Sequence, residues 1–148
     1  MTRLLEREAV LAGLGRLAAG GAGRVVLLRG EAGVGKTAVI DRFLEQSGPR
    51  VPMLRGWCDP LSAPRPLGPL IDMTAQLPPA EAAGLTAVIN RGEPEAIYAA
   101  LLRLLGQGQR WVCVIEDAHW ADGATLDLLR FLARRISGLP VLLIVSYR

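Results

Sequence analysis

Residues 30–37 read Gly30-Glu31-Ala32-Gly33-Val34-Gly35-Lys36-Thr37, a glycine-rich octet ending in an ammonium and a hydroxyl. It fits G-x-x-x-x-G-K-[ST] at every fixed position. Glycines let the backbone curl so that successive N–H groups converge on phosphate oxygens. A helix opening directly behind them turns its positive end toward the same charge. In such a loop Lys36 reaches the β- and γ-phosphates, Thr37 offers a hydroxyl to Mg²⁺, and Ala38 adds one more amide in the first turn. The alternative is a chance glycine-rich turn. A short apolar run before the octet and helical spacing after it supply the strand and helix that the phosphate chemistry requires. The expected ligands are ATP or ADP, with Mg²⁺.

A second chemical element is the run Trp111-Val112-Cys113-Val114-Ile115, which ends in the acidic pair Glu116-Asp117. One carboxylate would hold Mg²⁺, directly or through water, and the other would orient or deprotonate the attacking water. Sequence does not divide the roles, because common versions of the pair place Asp first and Glu second. His119 reads as a packing or hydrogen-bonding residue and Asp122 as a helix cap, rather than as catalytic groups.

These groups need a scaffold. Leu4, Leu11, Leu14 and Leu17 recur at helical spacing over residues 2–19, and Gly20, Gly21 and Gly23 stop that helix. Residues 25–28 lack polar alternation, as in a parallel strand covered on both faces. A helix is expected from Lys36 to about Gln46, then a weaker strand over 51–57 whose Pro52 argues for an edge position. Four prolines make 58–69 a loop. Helical spacing returns at 70–77 and at 96–105, where Ile97, Leu101, Leu104 and Leu105 share a face. Residues 111–115 and 141–145 read as buried strands, separated by a helix with the stripe Leu126, Leu129, Leu132 and Ile136. The alternation of strands and helices makes the chain α/β, with a parallel sheet between helical layers.

At 148 residues there is room for one compact domain, expected to bury roughly two thirds of its unfolded surface. Half of the residues are hydrophobic, so the chain is globular rather than disordered. The apolar runs are about five residues long, too short for a bilayer, and the first residues are charged where a signal peptide is apolar. A cytoplasmic protein without membrane contact is expected. A net charge of +3, with basic residues scattered along the chain, reads as solvated surface rather than a nucleic-acid footprint. One histidine and two cysteines support neither a zinc site nor a disulfide framework.

Taken together, Leu5-Glu6-Arg7-Glu8, the phosphate loop, Arg55-Gly56-Trp57-Cys58, the stretch from Ile115 through Glu116-Asp117-Ala118-His119-Trp120-Ala121 to Asp122, and the terminal Ser146-Tyr147-Arg148 resemble the ATPase domain of the signal-transduction ATPases called STAND proteins. The chain is most similar to the large ATP-binding regulators of the LuxR family. The phosphate loop is common to P-loop NTPases as a class, whereas the acidic stretch is narrower. The resemblance implies a three-layer P-loop NTPase fold with the strand order 5-1-4-3-2, of which strands 1 to 4 are present and the fifth is missing. Arg148 would then sit beside the γ-phosphate and sense it, and Glu6 to Glu8 would lie near the adenine. Residues 1–23 would form an N-terminal helix and adenine-side segment, and 24–148 the core, of one partial ATPase domain. Family members continue into a fifth strand, a helical lid, a winged helix, sensor repeats and a DNA-binding module. On that expectation the chain is truncated, and its exposed sheet edge invites self-association or contact with downstream domains.

The expected function is a slow Mg²⁺-dependent ATPase serving as the nucleotide switch of a signal-transduction or transcription regulator, with Lys36, Glu116, Asp117 and Arg148 as catalytic groups. A small phosphotransferase kinase and a nucleotide-binding fragment without turnover are the alternatives.

Overall fold

The computed structural model describes residues 2–63 and 65–148, with side chains from residue 6 onward. Leu4, Leu5 and the loop residue Pro64 therefore lie outside the described side chains. The elements follow in the order α1 (Thr2–Ala19), β1 (Arg24–Arg29), α2 (Lys36–Ser47), β2 (Met53–Trp57), α3 (Gly68–Thr74), α4 (Pro79–Arg91), α5 (Pro94–Leu105), β3 (Trp111–Glu116), α6 (Gly123–Ala133) and β4 (Val141–Tyr147). Short 3₁₀ turns cover Ala118–Trp120 and Ile136–Gly138. All strand pairings are parallel and the sheet order is β1-β4-β3-β2, as the resemblance implied for the first four strands.

The sheet separates two apolar cores. On one face Val112, Val114, Leu142 and Ile144 pack against Leu14 of α1 and Val39, Ile40 and Phe43 of α2. On the other, Cys113, Ile115, Leu143 and Val145 meet α3, α5 and α6 through Leu70, Leu101, Leu105, Leu128 and Leu132. Every residue of β3 is buried, which is why its sequence is a continuous apolar run instead of an alternating one. Residues of β4 are buried up to Ser146 for the same reason.

Four local expectations need correction. Strand β1 is the sheet edge that the strand order implied, but it is not covered on both faces: Leu27 is 61% exposed on the side facing the larger core. Helix α4 was not anticipated, although Pro79 at its first turn, Glu81 beside it and Gly92 at φ 70° after its end are ordinary boundary signals. Its apolar face is weak, with Leu85 as its one buried residue, so periodicity gave no warning. The stripe of α6 begins at Thr125, with Leu128 and Leu132 buried, and Leu126 turns outward. Ile136 is buried, but on a separate 3₁₀ turn beyond the end of α6.

The two edges of the sheet are finished differently. On β2, the Arg55 N–H donates to Gln76 Oε1 at 2.9 Å, Gln76 Nε2 donates back to the Arg55 carbonyl at 2.5 Å, and the Trp57 N–H donates to Asp72 Oδ2 at 3.1 Å. Side chains of and beside α3 thus occupy backbone groups that another strand would otherwise use. Among the described residues β1 carries no such side-chain cover.

Close approach fixes the entry to β1. A Cβ on Gly23 would lie 1.8 Å from the Ile136 carbonyl oxygen and 2.4 Å from that of Leu139, whereas one on Gly21 would meet nothing within 4 Å. We predict that Gly23→Ala lowers unfolding free energy by more than about 2 kcal/mol in urea titrations, because backbone must move, while Gly21→Ala changes it by less than about 0.5 kcal/mol.

Candidate functional site

The carboxyl edge of the sheet collects the residues singled out by sequence. Residues 30–35 lead from β1 into α2, with Gly33 at φ 79° and Gly35 at φ 92°, a region where side chains other than glycine are strained. Gly30 needs its missing Cβ for another reason, since one would lie 2.7 Å from a Val34 methyl. Gly35 holds the N-cap position of α2 and supplies no side-chain cap. Among the described residues the amides of Lys36, Thr37 and Ala38 find no acceptor, so the helix presents free donors and its positive dipole end at the loop.

Lys36 folds back on the loop. Its ammonium donates to the Gly30 carbonyl and, at 3.1 Å, to the Glu31 carbonyl. Arg7 of α1 donates to the Val34 carbonyl at 2.9 Å and lies directly over Gly35, where a Cβ would collide with the guanidinium. Glu6, Arg7 and Val10 form one wall of a cleft of about 340 Å³ whose other lining includes Gly30, Val34, Gly35 and Lys36. That volume suits a small ligand.

The acids come from β3. Glu116, 2% exposed, accepts the Thr37 hydroxyl on Oε2 at 2.8 Å, so the last residue of the phosphate loop and the first acid meet across the sheet. Its Oε1 accepts from Arg55 Nε at 2.5 Å, and an Arg55 terminal nitrogen contacts the same oxygen. Asp117 stands just past the strand in the left-handed region, φ 57° and ψ 44°, which aspartate adopts more readily than most residues. Its N–H donates to Ser146 Oγ at 3.0 Å, and Ser146 is itself buried on β4.

Arg148 follows β4, next to the loop: the Gly30 N–H donates to the Tyr147 carbonyl at 3.1 Å. Its side chain is exposed and makes no hydrogen bond or ion pair among the described residues. The structure therefore brings together Gly30 to Ala38, Glu116 and Asp117, and leaves Arg148 at their margin. His119 is exposed, its ring tilted against Trp120 at 5.2 Å. Asp122 caps α6 by accepting from the Ala124 and Thr125 amides at 3.1 and 3.3 Å, and it also holds the Leu67 amide at 3.3 Å. It thereby fastens the proline-rich loop to α6.

Sequence reasoning gave Arg55 no role at the site and named it only within the segment Arg55-Gly56-Trp57-Cys58 that carries the resemblance. A lone arginine in the otherwise apolar run Met53-Leu54-Arg55-Gly56 was the available signal. Its partner could not be found without the register that sets β2 beside β3.

The donor set fits a hard, small cation. A hydroxyl and carboxylate oxygens stand at the mouth of the loop, and among the described residues no group of three or more His, Cys, Asp or Glu could hold a metal unaided. Magnesium binds in this way, through one or two protein oxygens completed by phosphates and water. Both cysteines are unsuited to nucleophilic work: burial, and for Cys58 the nearby charges of Asp122, Asp117, Asp59 and Asp72, push each thiol up to about 12.

Residues 2–145 match the AAA ATPase domain family, and the chain belongs to that family. It is accordingly a nucleotide-binding domain of the ATPase type. It is also 30% identical over 190 aligned positions to an uncharacterized protein of Rhizobium meliloti (strain 1021), an alignment covering 98% of this chain and 18% of that protein. The chain thus spans about a fifth of that relative's length. No helix among the described residues is long and apolar enough to cross a membrane.

Two outcomes follow. Asp122→Ala should cost about 1–3 kcal/mol in unfolding free energy, through the lost cap and the orphaned Leu67 amide, while leaving nucleotide affinity unchanged by titration calorimetry. Because both thiols are held neutral in the folded chain well above their unfolded value, their contribution to stability is present at neutral pH. It is lost as pH rises above about 9 and through 12. Alkylation by iodoacetamide at pH 8 should accordingly be slow until denaturant is added.

Proposed function

We propose that this chain is a slow Mg²⁺-dependent ATPase, acting as the nucleotide switch of a signal-transduction or transcription regulator. The observation that carries the reading is the contact between Thr37 and Glu116, which sets a metal-binding hydroxyl and a buried carboxylate at the open amides of α2. The amides of residues 31–38 would hold the phosphate oxygens. Lys36 would leave the Gly30 and Glu31 carbonyls for the β- and γ-phosphates, exchanging neutral acceptors for anionic ones. Bound Mg²⁺ would supply charge neutralisation between the phosphates and Glu116. Thr37 and Glu116 are the residues that would hold it.

This division gives Glu116 the metal-side role and leaves Asp117 to orient and deprotonate water. Asp117 suits that task because it is half-buried, is turned out of the strand by its left-handed backbone, and is fixed there by Ser146. Arg148, exposed beside Gly30, is free to approach a third phosphate, as the resemblance to STAND proteins implies. The segment Glu6 to Glu8, of which Glu6 and Arg7 line the far wall of the cleft, would flank the base. The free-energy difference between triphosphate and diphosphate states would be relayed to an output module, and β1, with its uncovered edge and exposed Leu27, is the surface through which the chain would self-associate or dock further domains.

Saturating Mg·ATP at a hundred times Kd should add about 2.7 kcal/mol of stability, or roughly 5 to 10 °C in melting temperature. The shift should vanish in Lys36→Ala, and its absence in the unsubstituted chain contradicts the proposal. Phosphate release should be lost in both Glu116→Gln and Asp117→Asn. Light scattering should show species larger than a monomer, and a monodisperse monomer would refute the role given to β1.

A further inference from the structure

Glu116 is the one charged residue among the buried polar side chains described. A carboxylate withdrawn from water to this degree needs a counter-charge as well as hydrogen bonds. Its two oxygens are shared between two different kinds of partner. Oε2 takes the Thr37 hydroxyl, on the side where the metal is proposed, and Oε1 takes the Arg55 guanidinium. Arg55 reaches it from β2, where the parallel register sets Arg55 opposite Val114 and Trp57 opposite Glu116. The third Arg55 nitrogen, Nη1, donates to Asp41 Oδ1 at 2.6 Å on α2, the helix that starts at the phosphate loop.

We propose that Arg55 is a positioning residue that stands in for the metal: it is the built-in counter-ion of Glu116 when Mg²⁺ is absent, and it opposes Mg²⁺ when the ion arrives. The inference rests on the reading of the site as an Mg²⁺·ATP site. The Arg55 guanidinium carries its positive charge at every working pH, and it is held between two carboxylates, Glu116 and Asp41. A cation arriving at the Thr37 side of the carboxylate meets this positive charge across a single carboxyl group, in surroundings too enclosed for full screening. Asp41, half-exposed, offers Arg55 a second anchor. The guanidinium can therefore loosen its hold on Oε1 without losing every counter-charge. Without the metal, Arg55 keeps the sheet edge assembled; with it, Glu116 exchanges one cation for another.

The proposal makes stability and metal affinity move in opposite directions. The ATP-loaded chain is titrated with Mg²⁺ while melting temperature is followed, for the unsubstituted protein, Arg55→Met and Arg55→Lys. Arg55→Met should melt lower than the unsubstituted chain in metal-free buffer, and should reach half-saturation at roughly tenfold lower Mg²⁺, because an unpaired Glu116 gains more from the ion. Arg55→Lys keeps the charge and should stay within about threefold of the unsubstituted protein. If Arg55→Met is unfolded without metal, Mg·ATP must restore its fold and ATP with a chelator must not. An Arg55→Met affinity for Mg²⁺ equal to or weaker than that of the unsubstituted chain overturns the inference, as does a variant that stays unfolded in saturating Mg·ATP. Should the unsubstituted chain show no metal-dependent stabilisation at all, the proposed function falls and this inference with it.

Discussion

Thr37 and Glu116 come from elements 79 positions apart, and their hydrogen bond closes the site. For it to form, β3 must lie at the right distance from β1, and β4 must separate them. The all-apolar composition of β3 and β4 meets that requirement by burying both strands between helical layers, so that their carboxyl ends emerge at a common edge. Glu116 can be enclosed there because its oxygens are fully engaged, one by a hydroxyl and the other by a guanidinium. Removing Arg55 leaves a buried charge without its neutralising group, which is far costlier than losing an exposed ion pair, and removing Thr37 leaves it short of a hydrogen bond.

Around that contact the loop is held open for an anion. Glycines at positions 33 and 35 supply the left-handed turns, and the missing side-chain cap on α2 leaves three amides free. A helix optimised for stability alone would carry Ser, Thr, Asp or Asn at that point. The free amides are an unmet need that a phosphate can satisfy, and Lys36 waits on carbonyls that are weaker partners than phosphate oxygens.

Much of this was legible in the residues. The phosphate loop, the two buried strands, the acidic pair and the cap at Asp122 announce themselves through local pattern, because each depends on neighbours within a few positions. The order of the strands came from the resemblance and not from periodicity. What stayed hidden depends on pairing in space. Arg55 had no visible partner until β2 was set beside β3, and the uniformly apolar run of β1 hid the exposure of Leu27. Helix α4 escaped notice because it buries little, and the stripe of α6 was read one residue late because Thr125, a polar residue, belongs to the buried face. Arg148 marks a different limit: strand order sets its backbone beside Gly30, but its side chain is exposed and has no partner among the described residues that would fix it.

The central claim is that one cavity holds triphosphate, metal and both acids, and a crystal structure with a non-hydrolysable ATP analogue and Mg²⁺ tests it most directly. The account predicts β- and γ-phosphate oxygens on the amides of residues 33–38 and on the Lys36 ammonium, with the metal beside Thr37 and Glu116. Phosphates bound elsewhere, or a metal remote from Glu116, would contradict it.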